Sequence, residues 1–88
     1  MELFESDEAR KDKLKIKKSY PKAVQQKLVT LITEMLTNPY EETGKPEALK
    51  YALTGLWSRR LTNKERIVYY VEDESLNIVR YLSPYGKK

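Results

Sequence analysis

"LWSRRLTNKERIVYYVEDESLNIVRYL", residues 56–82, decides the fold. Three runs in it, "LWSRRL", "RIVYYVED" and "LNIVRYL", are rich in β-branched and aromatic residues. Short polar links, "TNKE" and "EDES", separate them. Runs of that composition with such short links predict an antiparallel meander. Side chains alternate along a strand, so Ile67, Tyr69 and Val71 share one face, and Arg66, Val68 and Tyr70 the other. In the preceding run Trp57, Arg59 and Leu61 lie opposite Ser58 and Arg60. The more polar face of each strand thus presents one arginine, Arg60 and Arg66, and the short link brings the two strands together.

Upstream, the pattern turns helical. Val24, Leu28, Leu31, Ile32, Met35 and Leu36 recur at spacings of three and four, which predicts one apolar helix face over about three turns. Pro21 suits the first turn, and Asn38 before Pro39 ends the helix. A helix is also expected over "DEARKDKLKIKKS", capped by Ser6 or Asp7, with acids first and lysines last. Its apolar residues, Ala9, Leu14 and Ile16, make only a thin stripe. "ELFES" reads as a short first strand. Residues 40–56 read as a loop region punctuated by Gly44, Pro46 and Gly55. The order β-α-α-loop-β-β-β implies an α+β domain, two helices on one face of a small, mainly antiparallel sheet. The other face is then free for a site.

Composition narrows the function. Eighty-eight residues suffice for a single domain, 1–88, with a modest core. With 40% hydrophobic and 34% charged residues the chain reads as globular. No apolar run approaches a membrane span, and "MELFESDEAR" lacks the pattern of a signal peptide, so a cytoplasmic protein is expected. Cysteine is absent, which excludes disulfides; histidine is absent too, so no metal or other cofactor is expected. Arg10–Lys27 holds eight bases and one acid, Asp12. That run suits a solvated helix face or a salt-sensitive grip on RNA phosphates.

The block "GKPEALKYALTGLWSRRLTNKERIVYYV", residues 44–71, resembles the YoeB/Txe family of toxins from bacterial toxin–antitoxin pairs. That family lies within the RelE-like superfamily of small ribosome-dependent messenger-RNA endonucleases. Its ordered motifs appear as Gly44-Lys45-Pro46-Glu47-Ala48-Leu49-Lys50, Leu53-Thr54-Gly55-Leu56-Trp57-Ser58-Arg59-Arg60 and Arg66-Ile67-Val68-Tyr69. The resemblance implies a metal-independent endoribonuclease that cuts mRNA in the ribosomal A site, with an antitoxin as partner. Homodimers are common in the family.

Such cleavage needs a base for the 2′-hydroxyl, cations for the phosphate and an acid for the leaving oxygen. By resemblance, Glu47 is the base and Arg66 the phosphate-stabilising arginine, while Lys50 and Arg60 are further phosphate-binding residues. Read from the residues alone, Glu47 could be a solvated loop carboxylate, and the three cations ordinary surface charges. Trp57, Tyr69, Tyr70 and Tyr81 read first as core or half-buried sheet aromatics.

The chain departs from the family at its end. Pro84 stands where the family has the histidine taken as general acid, and Tyr85 falls on the terminal tyrosine. Three accounts stay open: Tyr85 or a lysine takes over the acid role; the chain is catalytically weak and mainly binds; or the C-terminus is altered. Pro84 also predicts that the last strand ends by Leu82, with Tyr85 on a stiff hook beyond it.

Overall fold

The computed structural model describes residues 1–40, the backbone of 47–48, and residues 55–84. In chain order the elements are β1 (Glu2–Glu5), α1 (Asp7–Ser19), α2 (Lys22–Thr37), β2 (Glu47–Ala48), β3 (Trp57–Arg60), β4 (Glu65–Glu72) and β5 (Ser75–Pro84). They build a mixed sheet in the order β1-β5-β4-β3-β2. β1 runs parallel to β5; every other pair is antiparallel. The expected α+β architecture and the β3-β4-β5 meander are therefore present.

Ser6 is the cap of α1. Its Oγ accepts from the Ala9 N–H at 3.0 Å and donates to the Val79 carbonyl at 2.7 Å, tying the helix start to β5. The thin apolar stripe of α1 has a physical reason: the buried positions are Ala9, Asp12 and Ile16, at helical spacing, so a carboxylate occupies the middle of the inward face. Leu14 instead points outward, 61% exposed.

Asp12 serves an irregularity in β5, which carries register shifts opposite Arg66–Tyr69. Its Oδ2 accepts from the backbone N–H groups of Tyr81 and Leu82, at 3.0 and 3.1 Å, and from Arg80 Nε at 2.7 Å. A bulge turns such donors away from the ladder, and an unpaired buried N–H is costly. Burial alone would raise the Asp12 pKa, but the hydrogen bonds from Arg80, Leu82 and Tyr81 outweigh it and hold the carboxyl below its ordinary value.

α2 runs from Lys22 to Thr37; Pro21 is its N-cap rather than a first-turn residue, and the helix ends with Asn38 as its C-cap, as the sequence indicates. It contributes Leu28, Leu31 and Met35 to a core shared with Ala9, Ile16, Leu61, Ile67, Tyr69, Leu76, Ile78, Tyr81 and Leu82. Helix residues thus pack with Ile67 and Tyr69, so α1 and α2 cover that sheet face. Among the described residues, no helix is long and apolar enough to cross a membrane.

Three expectations need correction. Residues 40–56 are not all loop, because β2 adds a short rung against β3. β5 does not stop at Leu82: it continues to Pro84, the Cα partner of Glu65. A missing N–H matters little in the last rung of a ladder. The face opposite the helices is not simply open either, for Ser58, Arg66 and Val68 on it are buried.

Candidate active site

The site is built on β3 and β4. Arg60 and Arg66 are direct cross-strand partners on the face turned away from the helices. Like charges in that position repel, so sheet stability alone does not favour the pair. Arg60 is exposed and Arg66 is buried.

Ser58 orients Arg66. The arginine donates from Nε to Ser58 Oγ at 2.7 Å, with Nη2 3.4 Å from the Ser58 carbonyl oxygen. Ser58 is also the Cα partner of Glu47 in β2. One buried serine therefore lies between the strand carrying the expected base and the strand carrying the expected phosphate arginine. The sequence pattern placed Ser58 beside Arg60 without giving it a task. The available signal was that a small hydroxyl on the arginine face is the right size to receive a guanidinium.

Arg59 is the other residue that sequence reasoning left without a role. It points to the helix side and is fully buried. Its Nε donates to the Tyr69 hydroxyl at 3.3 Å, its Nη1 to Glu34 Oε1 at 3.3 Å, and its Nη2 to the Asn38 carbonyl. Tyr69 in turn donates to the Pro39 carbonyl. Burial pushes the Tyr69 hydroxyl pKa up, against the opposing pull of Arg59, so it remains a donor. Tyr40 packs on Trp57 with ring centroids 4.7 Å apart. These contacts anchor the chain as it leaves α2 on its way to Glu47. The signal in the sequence was a charged residue on an apolar strand face, which requires a partner.

The sequence-assigned residues fare differently. Arg60 and Arg66 stand side by side. Glu47 lies in β2 next to Ser58 by backbone register. Lys50 and Tyr85 lie outside the described residues, as does the hook expected beyond Pro84. The aromatics are structural, as first read: Tyr69 and Tyr81 are fully buried, Trp57 and Tyr70 half-buried. Tyr81 donates to Glu5 Oε2. Tyr20 donates to Glu65 Oε2 at 2.7 Å, and that hydrogen bond, with burial, raises its hydroxyl pKa to about 12.

A small mixed sheet with two helices on one face and paired arginines on the other is the arrangement that the resemblance to small toxins of bacterial toxin–antitoxin systems implies. Comparison with known proteins narrows it. The family model of the YoeB-like toxin of bacterial type II toxin–antitoxin system matches residues 6–85, and the chain belongs to that family. Toxin YoeB of Escherichia coli K12 is 42% identical over 78 residues, covering 89% of this chain and 92% of the relative. The structure of a YoeB/ParE toxin from Agrobacterium tumefaciens superposes with a TM-score of 0.90 at 29% identity, covering 97% of this chain and all of the other. A YoeB–YefM complex from Staphylococcus aureus gives 0.84 at 31% identity, covering 97% and 98%. The YoeB dimer of the same organism gives 0.86 with the same identity and coverage. The chain is a toxin of a type II toxin–antitoxin system.

Proposed function

We propose that this toxin is a ribosome-dependent endoribonuclease that cuts mRNA in the A site and so stops translation. The observation that carries the reading is the buried Arg66, held by Ser58, directly opposite Arg60 and with only β3 between its strand and that of Glu47. Two cations on one sheet face, repelling each other, suit a phosphate that bridges them.

In the reaction, Glu47 accepts the proton of the 2′-hydroxyl. The O2′ attacks phosphorus, the P–O5′ bond breaks, and the O5′ takes up a proton. The products are a 2′,3′-cyclic phosphate, open to hydrolysis to a 3′-phosphate, and a 5′-hydroxyl. Arg66, with Arg60 and Lys50, stabilises the charge that grows on the phosphate. Tyr85 stacks on a base or donates the proton to the leaving oxygen. Its unperturbed pKa of about 10 is high for an acid at neutral pH, but an alkoxide is a far stronger base than a phenolate.

On this reading residues 1–88 work as one cytoplasmic domain. The partners are the ribosome with its mRNA and an antitoxin whose acidic segment covers the arginine face. Pairing with a second copy, as in the S. aureus YoeB dimer, is compatible with it.

The test is a translation reaction stalled on a defined mRNA and read by primer extension. Wild type is expected to cut in the A site, and Glu47→Gln and Arg66→Ala to lose the cut. A second reading, a module that binds antitoxin and ribosome without cutting, draws on Pro84 in place of the family's histidine. It is adopted if wild-type protein binds intact ribosomes and leaves the mRNA whole.

A further inference from the structure

Lys11, Lys15 and Lys18 stand at i, i+4 and i+7 on α1, and all three are exposed. That spacing aligns them along one helix face, one lysine per turn of about 5.4 Å. Leu14, 61% exposed, sits among them. None of the three makes an ion pair among the described residues. Of the three acids within a turn of the row, Glu8 stands three residues before Lys11, and the other two are engaged elsewhere. Asp7 pairs with Arg10. Asp12, which lies within a turn of both Lys15 and Lys11, is turned into the core and held by Arg80.

Like charges at this spacing destabilise a helix. Here the row recurs along the outer side of an element that needs its other side for the core, through Ala9, Asp12 and Ile16. Lys18, in the last turn, suits the helix dipole, but repulsion along the row opposes the helix that carries it.

We infer that the outer face of α1 is a binding surface for the phosphate backbone of structured RNA, separate from the arginine site. Lysine is a compact point charge that meets phosphates without reading sequence. A spacing near one turn is comparable to that between successive phosphates on one strand. A membrane surface fits less well. The only apolar residues of α1 are Ala9, Leu14 and Ile16, and two of those are buried, whereas an interfacial helix needs a broad apolar face.

Position adds to the argument. α1 lies on the helix side of the sheet, while Ser58, Arg60 and Arg66 lie on the other side. RNA on the lysine row is therefore a different segment from RNA at Arg66. A protein that works against a large RNA body gains from contacts on two sides. The inference does not require cleavage: the row binds RNA whether or not the arginine site cuts it.

The experiment uses the full chain and two probes, purified bacterial ribosomes and a 20-base-pair RNA duplex of arbitrary sequence. Affinity is measured across a range of salt concentrations for wild type and for the triple variant Lys11→Gln, Lys15→Gln, Lys18→Gln. A control triple, Lys22→Gln, Lys27→Gln, Lys64→Gln, removes the same charge elsewhere. The row variant is expected to bind both probes at least tenfold more weakly at low salt, with the slope of log K against log salt reduced by about 2 to 3. The control is expected to lose less than half of that. The row variant should melt within a few degrees of wild type, because relieved repulsion offsets the lost interaction of Lys18 with the helix dipole. An unchanged slope in the row variant overturns the inference. So does an equal loss in the control, which means that the attraction is diffuse. Loss of binding to an acidic peptide or to anionic vesicles, with RNA affinity intact, overturns it in favour of a different partner. Loss of cleavage by Glu47→Gln with RNA affinity unchanged leaves the lysine row standing, so the two readings fail separately.

Discussion

Arg66 donates from Nε to the hydroxyl of Ser58 at 2.7 Å, and neither residue is more than 9% exposed. A hydrogen bond from a charged donor in a buried place contributes roughly 1.5–3 kcal/mol. Ser58→Ala removes the acceptor and keeps the strand. If the guanidinium serves the scissile phosphate, its aim matters most in the transition state. Ser58→Ala is therefore expected to lower kcat for mRNA cleavage roughly ten- to a hundredfold, about 1.4–2.7 kcal/mol, with KM for ribosomes little changed. Ser58→Thr, which keeps the hydroxyl, should recover most of the rate. An equal loss in both variants would mean that packing at this position matters and the hydroxyl does not.

Arg59 makes a stability prediction that is independent of activity. It is fully buried and joins Tyr69, Glu34 and the carbonyl of Asn38. Removing one partner of a buried charged network leaves the others unsatisfied, at a cost of about 3–5 kcal/mol. Arg59→Met is expected to lose at least that order of stability in urea unfolding, whereas Arg60→Met, at an exposed position, should lose less than about 1 kcal/mol. Tyr69→Phe removes only the hydroxyl that bridges Arg59 and Pro39, and should cost about 1–2 kcal/mol.

Asp12 gives the fold an acid limit. Its folded pKa is held below the ordinary value, against burial, by hydrogen bonds from Arg80, Leu82 and Tyr81. A depressed pKa means that the stabilisation is complete above the unfolded value of about 4 and drains away as pH falls through the folded one. Glu5 adds to the same limb. Burial would raise its pKa, but Lys13 and Tyr81 hold it down. Wild type should therefore lose stability steeply below about pH 4. Asp12→Asn should be less stable than wild type at pH 7, and the gap should narrow on acidification. A constant gap down to pH 2 would show that the carboxylate charge contributes nothing.

Much of this was legible in the sequence because it rests on periodicity. The apolar face of α2, the β3-β4-β5 meander and the pairing of Arg60 with Arg66 all follow from spacing and alternation. The illegible parts are those where one residue satisfies another across the chain. Asp12 looked like the lone acid of the basic run Arg10–Lys27, and only the bulge in β5, 68 residues away, explains its burial. Arg59 sat on the correct face, but its partners Glu34 and Asn38 come from another element. β2 is two residues long, too short to leave a pattern. Pro84 suggested an early strand end, because a missing donor says nothing about whether its position is the last rung.

The β4–β5 turn stores strain that a substitution can release. Asp73 and Glu74 both have positive φ, 50° and 61°, between the paired residues Glu72 and Ser75. Two-residue hairpin turns of this kind favour Asn-Gly or Asp-Gly. A non-glycine residue held left-handed costs roughly 1–2 kcal/mol, of which the entropy of glycine takes back up to about 1. Glu74→Gly is expected to raise stability by about 0.5–1 kcal/mol, a gain of several degrees in Tm for a domain of this size. Asp73→Gly should gain less, because Asp tolerates the left-handed region better than Glu.

Pro84 is where the proposed chemistry is most open to test. It is exposed and pairs with Glu65 in the last rung of the sheet, beside the rung that joins Arg66 to Ser83. With a tyrosine as donor, the wild-type rate should not fall as pH rises until the phenol itself ionises, near its unperturbed value of about 10. Pro84→His restores the residue type that the YoeB/Txe family carries at this position. The variant should cut faster near pH 6, and its rate should fall as pH rises through an ordinary histidine pKa of about 6.5. Adding Tyr85→Phe separates the roles. In wild type it should slow cleavage if the hydroxyl donates; in the Pro84→His background it should cost little, because the imidazolium then supplies the proton. Single-turnover cleavage on ribosomes between pH 6 and pH 9 measures all four proteins. Equal rates for wild type and Tyr85→Phe across that range would assign the proton to another group, with the lysines next in line.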